Sequence, residues 1–199
     1  MDIFEAIKNN NIARIKELLD SGIDVNSQND DGWTPLHEVC ENNNIEIVKL
    51  LLEQPNIDVN AKDYDGWTPL SIACINHKLE NVKELLSHPN INVNAKDYKG
   101  KTTLYHACRG GYPKVVVKLL LEHPNIDVNL QDYKGMTPLY VACKSKNIEI
   151  AKLLLSIPDI KINFNITEFK NQVKLYLYIK RKQNINLDKV NKILDMIEG

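Results

Sequence analysis

The chain has 199 residues, of which 43% are hydrophobic and 26% charged. That is enough apolar material for one folded unit or one elongated array, and no stretch approaches the roughly 18 apolar residues of a membrane span. The net charge of −1 hides a polarity, since residues 1–66 carry 14 acidic and 5 basic groups and residues 67–199 carry 12 and 20. An elongated fold would therefore have electrically opposite ends, or merely a surface that drifts in composition.

The opening stretch, MDIFEAIKNNNIARIKELL, is broken throughout by charges and lacks the basic leader and apolar run of a signal peptide. A cytoplasmic, reducing location is expected, with secretion as an effector by a non-classical route left open. An abbreviated helical unit begins near Ile3 and precedes the segment IKELLDSGIDVN at 15–26, the first copy of a block that recurs below. Four related blocks then recur: DDGWTPLHEVC, DYDGWTPLSIAC, DYKGKTTLYHAC and DYKGMTPLYVAC. Their glycines, Gly32, Gly66, Gly100 and Gly135, are spaced by 34, 34 and 35 residues. Each block is followed by a second: IVKLLLEQPNIDVN, NVKELLSHPNINVN, VVKLLLEHPNIDVN and IAKLLLSIPDIKIN.

Thr34, Thr68 and Thr137 precede a proline and suit an N-cap, where the hydroxyl accepts a free helix N–H. The proline then occupies the first helical position, where a missing N–H is harmless. Thr103 replaces it in the third copy. The first helix carries small residues, Ala73, Ala107 and Ala142, which permit close packing. The second helix presents Ile45, Val48, Leu51 and Leu52 as an apolar face. A D-Y-D/K-G turn follows, with glycine free to take positive φ. Each unit reads as helix, turn, helix, hairpin, and none can bury its apolar face alone, so neighbours must stack.

With its T-P-L-H-x-A pattern repeated as TPLHEV, TPLSIA, TTLYHA and TPLYVA, the chain resembles the ankyrin repeat family over residues 1–163. The resemblance implies an all-α ankyrin-repeat solenoid of about five units, the first abbreviated as an N-terminal cap. Gly22 keeps the family pattern after its helix, whereas Pro55–Asn56, Pro89–Asn90, Pro124–Asn125 and Pro158–Asp159 add a residue, predicting a longer connection there. A further extra residue falls in RGGYP at 109–113, where two glycines and a proline absorb it cheaply and the loop is free to protrude. Residues 164–199 lose the pattern but read as two amphipathic helices with starts at Thr167 and Asn186, a divergent capping repeat of net charge +3.

The chemical constellations are weak. Cys40, Cys74, Cys108 and Cys143 share one slot in successive units, and helices stacked about 8–10 Å apart suit neither a disulfide nor a zinc site. They read as reduced core residues. His88 and His123 share a slot under the same argument, His77 and His106 are isolated, and the resemblance implies a structural hydrogen-bonding role for His37. The string KGKT at 99–102 lacks the earlier glycine of a phosphate loop, with alanine at 95. The sequon at Asn165 matters only outside the cytosol, and the basic run IKRKQ at 179–183 reads as the end of a cap helix. No catalytic residue, cofactor site or metal site is expected, and an enzyme is disfavoured.

The aromatic columns stand out. Trp33 and Trp67, followed by Lys101 and Met136, share the slot after the glycine, and Tyr64, Tyr98 and Tyr133 share the slot after the aspartate. The resemblance places these slots on the concave recognition groove, where aromatic residues are common interface anchors. Alternatively the rings pack hairpin on hairpin. Glu41, Ile75, Arg109 and Lys144 form a first-helix column that passes from acidic to basic. The expectation is a monomeric protein-interaction module that takes a protein partner, with an acidic segment over the later repeats, and takes neither nucleic acid nor membrane. Alternatives are an assembly subunit contacting through the helical cap, or a pathogen or viral effector aimed at a host protein. The resemblance also matches Asn26, Asn60, Asn94 and Asn129 to a hairpin asparagine that is hydroxylated in some ankyrin proteins.

Overall fold

The computed structural model describes residues 2–161, apart from 43 and 111. Ten helices occur among the described residues: α1 (Ile3–Lys8), α2 (Ile12–Asp20), α3 (Pro35–Glu41), α4 (Ile45–Leu52), α5 (Pro69–Ile75), α6 (Leu79–Ser87), α7 (Thr103–Arg109), α8 (Lys114–Glu122), α9 (Pro138–Lys144) and α10 (Ile148–Leu155). They form five antiparallel pairs, and the connecting hairpins contain one isolated bridge, Lys96 to Thr102, among the described residues. The helical cap expected over 164–199 lies outside those residues.

Local chemistry sets the helix starts. The hydroxyls of Thr34, Thr68, Thr102 and Thr137 each accept from the backbone N–H three residues on. Asn11, Asn44 and Asn147 do the same for α2, α4 and α10 with their amide oxygens. Each such cap contributes about 1 kcal/mol.

First helices touch first helices in series, α1 to α3 to α5 to α7 to α9, and second helices follow from α4 to α10. The core is correspondingly columnar. Leu36, Leu70, Leu104 and Leu139 form one buried column, and Leu51, Leu85, Leu120 and Leu154 another, with Val25, Val59, Val93 and Val128 closing the hairpin side. In α4 the buried face is Ile47, Val48 and Leu51, while Ile45 and Leu52 are only half-buried. Val48 and Leu51 are buried as the spacing predicts, Ile45 and Leu52 pack on the edge of the core, and Ile47 joins the buried face. In α6 the slot of Ile47 is held by Asn81, fully buried, whose amide donates to the Asn42 carbonyl at 3.0 Å and ties α6 to the end of α3.

The proline-bearing connections absorb their extra residue in two successive turns, as in His88 N–H to Leu85 carbonyl and Ile91 N–H to His88 carbonyl. The loop 110–113 is one residue longer than its counterpart 76–78. It does not simply protrude. Tyr112 packs on the core and meets His77 edge-on with ring centroids 6.4 Å apart.

Asparagine side chains join hairpin to hairpin. The Asn26 amide donates to the Asn56 carbonyl at 2.7 Å, and its oxygen accepts from the Asp58 N–H at 2.8 Å. Asn60 repeats this with Asn90 and Asn92, Asn94 with Asn125 and Asp127, and Asn129 with Asp159 and Lys161. Each amide thereby substitutes for a strand-like backbone pairing across the repeat boundary. Asn60→Ala removes two such bonds, so the urea-unfolding free energy should fall by about 1–2 kcal/mol with helical circular dichroism unchanged. An unchanged midpoint would show the ladder to be energetically idle.

Candidate functional site

The face built from hairpin tips and first helices carries most of the residues singled out in the sequence. Each hairpin is held by a side chain at its base. Asp63 Oδ1 accepts from the N–H of Asp65 at 2.9 Å and of Trp67 at 2.8 Å, and Asp97 and Asp132 repeat the pattern with Lys99 and Lys101 and with Lys134 and Met136. Asn29 plays this part in the first hairpin. These clamps orient the slots occupied by Trp33, Trp67, Lys101 and Met136, all half-buried.

Tyr64, Tyr98 and Tyr133 are 67%, 60% and 75% exposed, yet each rests on the preceding hairpin. A methyl group added at Gly32 would lie 2.6 Å from the Tyr64 ring, and one at Gly100 would lie 2.6 Å from the Tyr133 ring. Glycine is needed twice there, for this approach and for φ of 76°. One side of each ring therefore braces hairpin on hairpin, and the rest of the ring is exposed.

The tryptophans differ. Trp33 stacks on His37 with centroids 6.4 Å apart, and Trp67 packs on His106 at 4.5 Å. His106, isolated in sequence, donates through Nε2 to Asp97 Oδ2 at 2.9 Å. Burial works against ionisation of Asp97, but the N–H groups of Lys101 and Lys99 and the His106 bond hold its carboxyl below the usual range.

Among the described residues, two cavities on this face are lined by the aromatic slots. The first, about 560 Å³, lies between the first two hairpins and joins Trp33 and Tyr64 to Asp30, Asp31, Glu38, Glu41, Asp63 and Asp65, with Lys8 at its edge. The second, about 300 Å³, joins Tyr98, Tyr133 and Met136 to Lys99, Lys101, Lys134 and Asp132. Lys101 also lies over the Tyr105 ring, 5.4 Å from its centroid. Trp67, Ile75, Arg109 and Lys144 line neither cavity. Ile75 is 44% exposed, and Arg109 and Lys144 are exposed on α7 and α9, with the Lys144 ammonium 5.7 Å from the Tyr140 ring centroid. Of the cavity carboxylates only Glu41 stood out in the sequence, and Lys99 and Lys134 did not. Their signal was present in the residue before each glycine, which runs Asp31, Asp65, Lys99, Lys134.

Glu38 is 4% exposed. Burial pushes its carboxyl above the usual range, Lys8 opposes this, and Glu41 and Asp31 add to it. The thiols of Cys40, Cys74 and Cys108 are buried and pushed far up by desolvation, and Cys143 is pushed up to about 11. Such thiols are not thiolates near neutrality. Among the described residues no group of three or more His, Cys, Asp or Glu is placed to hold a metal ion, and no helix is long and apolar enough to cross a membrane.

His37 is fully buried, with Nε2 3.0 Å from the Trp67 carbonyl and Nδ1 3.1 Å from the Thr34 N–H. The carbonyl can only accept and the N–H can only donate, so the ring is neutral with its proton on Nε2. Burial lowers its pKa, against weaker opposing contributions from the Trp67 carbonyl, Asp63 and Asp58. At high pH the ring is neutral folded or unfolded. As pH falls below about 6.5 the unfolded ring takes a proton that the folded ring refuses, so this group's effect on stability turns unfavourable. The unfolding free-energy difference between the unaltered chain and His37→Gln should therefore shrink from pH 7.5 to pH 5.5. A constant difference would contradict the neutral, buried assignment.

A family model described as ankyrin repeats (3 copies) matches residues 3–97 and 91–167. An ankyrin repeat protein of fowlpox virus (strain NVSL) is 46% identical over 52 residues, 26% of this chain and 37% of that protein. Mouse ankyrin repeat domain-containing protein 40 is 44% identical over 50 residues, 25% of this chain and 14% of its own length. Mouse 2-5A-dependent ribonuclease is 37% identical over 51 residues, only 7% of that protein. The chain thus spans little more than a third, or less, of these relatives.

Proposed function

The chain belongs to the ankyrin repeat family, and on that premise we propose that it binds a protein partner along the face of hairpin tips and first helices. Ankyrin repeats are generally protein–protein interaction modules, and the family is generally non-enzymatic. The observation that carries the reading is the pair of aromatic-walled cavities of opposite charge on one face. Trp33, Tyr64, Tyr98, Tyr133 and Met136 are the apolar anchors, and Trp67 and Ile75 extend the contact between the cavities. Lys101, Arg109 and Lys144, with Lys99 and Lys134, receive an acidic segment of the partner and set its orientation. The repeat array over residues 1–163 carries this surface.

The anchors project from clamped hairpins rather than from the leucine columns, so binding and folding are separable. Replacing Trp33 and Trp67 together with alanine should reduce affinity for a partner isolated by affinity capture by at least about tenfold, the scale of one interface anchor. Helical circular dichroism should be nearly intact, with some stability lost where Trp67 leaves His106. Unchanged affinity per folded molecule would assign the indoles a structural role alone.

A further inference from the structure

Resting on that reading, we propose that the cavity between Trp33 and Tyr64 seats an arginine side chain of the partner. The key residue is Glu38. Its slot in the later repeats is held by Ile72, His106 and Val141, residues that suit a buried position better than a carboxylate does. Glu38 is buried and lines the cavity, and its carboxylate accepts no hydrogen bond among the described residues; its ion-pair partner, the Lys8 ammonium, stands at 3.9 Å, beyond hydrogen-bond reach, on a side chain that is 61% exposed. Asp63 in the same wall is different, because its Oδ1 already accepts two backbone N–H groups. The cavity therefore holds a buried carboxylate faced by a single exposed ammonium, rimmed by Asp30, Asp31, Glu41 and Asp65 and flanked by two aromatic rings.

A guanidinium answers each of these features. It is planar and weakly hydrated, it stacks on indole and phenol faces, and its forked donors match carboxylates. An ammonium supplies charge without the plane or the fork, and an anion is repelled by every wall but Lys8. The second cavity lies two repeats further along with the opposite charge. Stacked units advance by about 10 Å, so the two cavities are about 20 Å apart, a span of about six extended residues. The partner segment would carry its arginine about that far from an acidic group.

The test is a titration of the full chain, at low ionic strength, with the acetylated and amidated pentapeptide Gly-Gly-Arg-Gly-Gly, followed by amide and indole NMR signals. Saturable shifts should appear at the Trp33 indole and the Glu38 amide. The citrulline peptide, equal in shape but uncharged, should bind about tenfold more weakly, and Glu38→Gln should weaken arginine-peptide binding by a similar factor. Asp31→Asn on the exposed rim should weaken it less, and serves as the readout if Glu38→Gln fails to fold. The proposal is overturned if Trp33 and Glu38 do not respond, if citrulline or lysine peptides bind as well as arginine, or if neither variant changes affinity. Should the peptide fail while partner capture still depends on Trp33 and Trp67, the arginine seat is wrong and the groove reading stands. Capture indifferent to both tryptophans would remove the groove reading itself.

Discussion

No unit of this chain can bury its own apolar surface, and everything else follows from that constraint. A pair of helices of seven to nine residues has one side covered by its partner and two more that must meet a neighbour. Stacking solves this by aligning like with like, so that Leu36, Leu70, Leu104 and Leu139 become one column although they are 34 or 35 residues apart. Burying each such side chain is favourable by about 1.5–3 kcal/mol, but only when the next unit is present. Stability is thus a sum of nearest-neighbour terms.

The hairpins depend on this stacking and in turn restrict it. Apolar columns alone would tolerate small rotations between units. The asparagine ladder and the tyrosine-on-glycine contacts are directional, and fix each hairpin against the next. Within each hairpin the aspartate clamp fixes the slots that carry Trp33, Trp67, Lys101 and Met136. Because these residues are not needed in the leucine columns, the array can vary its face from unit to unit. It uses that freedom to pass from Asp31 and Asp65 to Lys99 and Lys134.

Much of the fold was legible in the sequence because a repeat shows each rule several times. Three threonines before a proline at one slot reveal a cap, four cysteines at one slot reveal a core position rather than a disulfide set, and one extra residue in RGGYP stands out against its shorter counterparts. Relations between units were harder to read. Asn26, Asn60, Asn94 and Asn129 were visible as a recurring residue, but their partners lie 30 to 33 residues away on backbone atoms, which leave no side-chain signature. The His106 bond to Asp97 joins a helix to the hairpin before it, and the inward turn of Tyr112 depends on what lies beneath the loop. The burial of Glu38 was hidden for a related reason, since an acidic residue on a short helix reads as solvated until the neighbouring units are in place.

If the partner sits on the hairpin and first-helix face, hydrogen–deuterium exchange of the chain with and without its captured partner shows it most directly. Slowed exchange should be confined to hairpin segments 29–34, 63–68, 97–102 and 132–137 and to α3, α5, α7 and α9. Protection concentrated instead on α4, α6, α8 and α10, or within residues 162–199, would contradict the account.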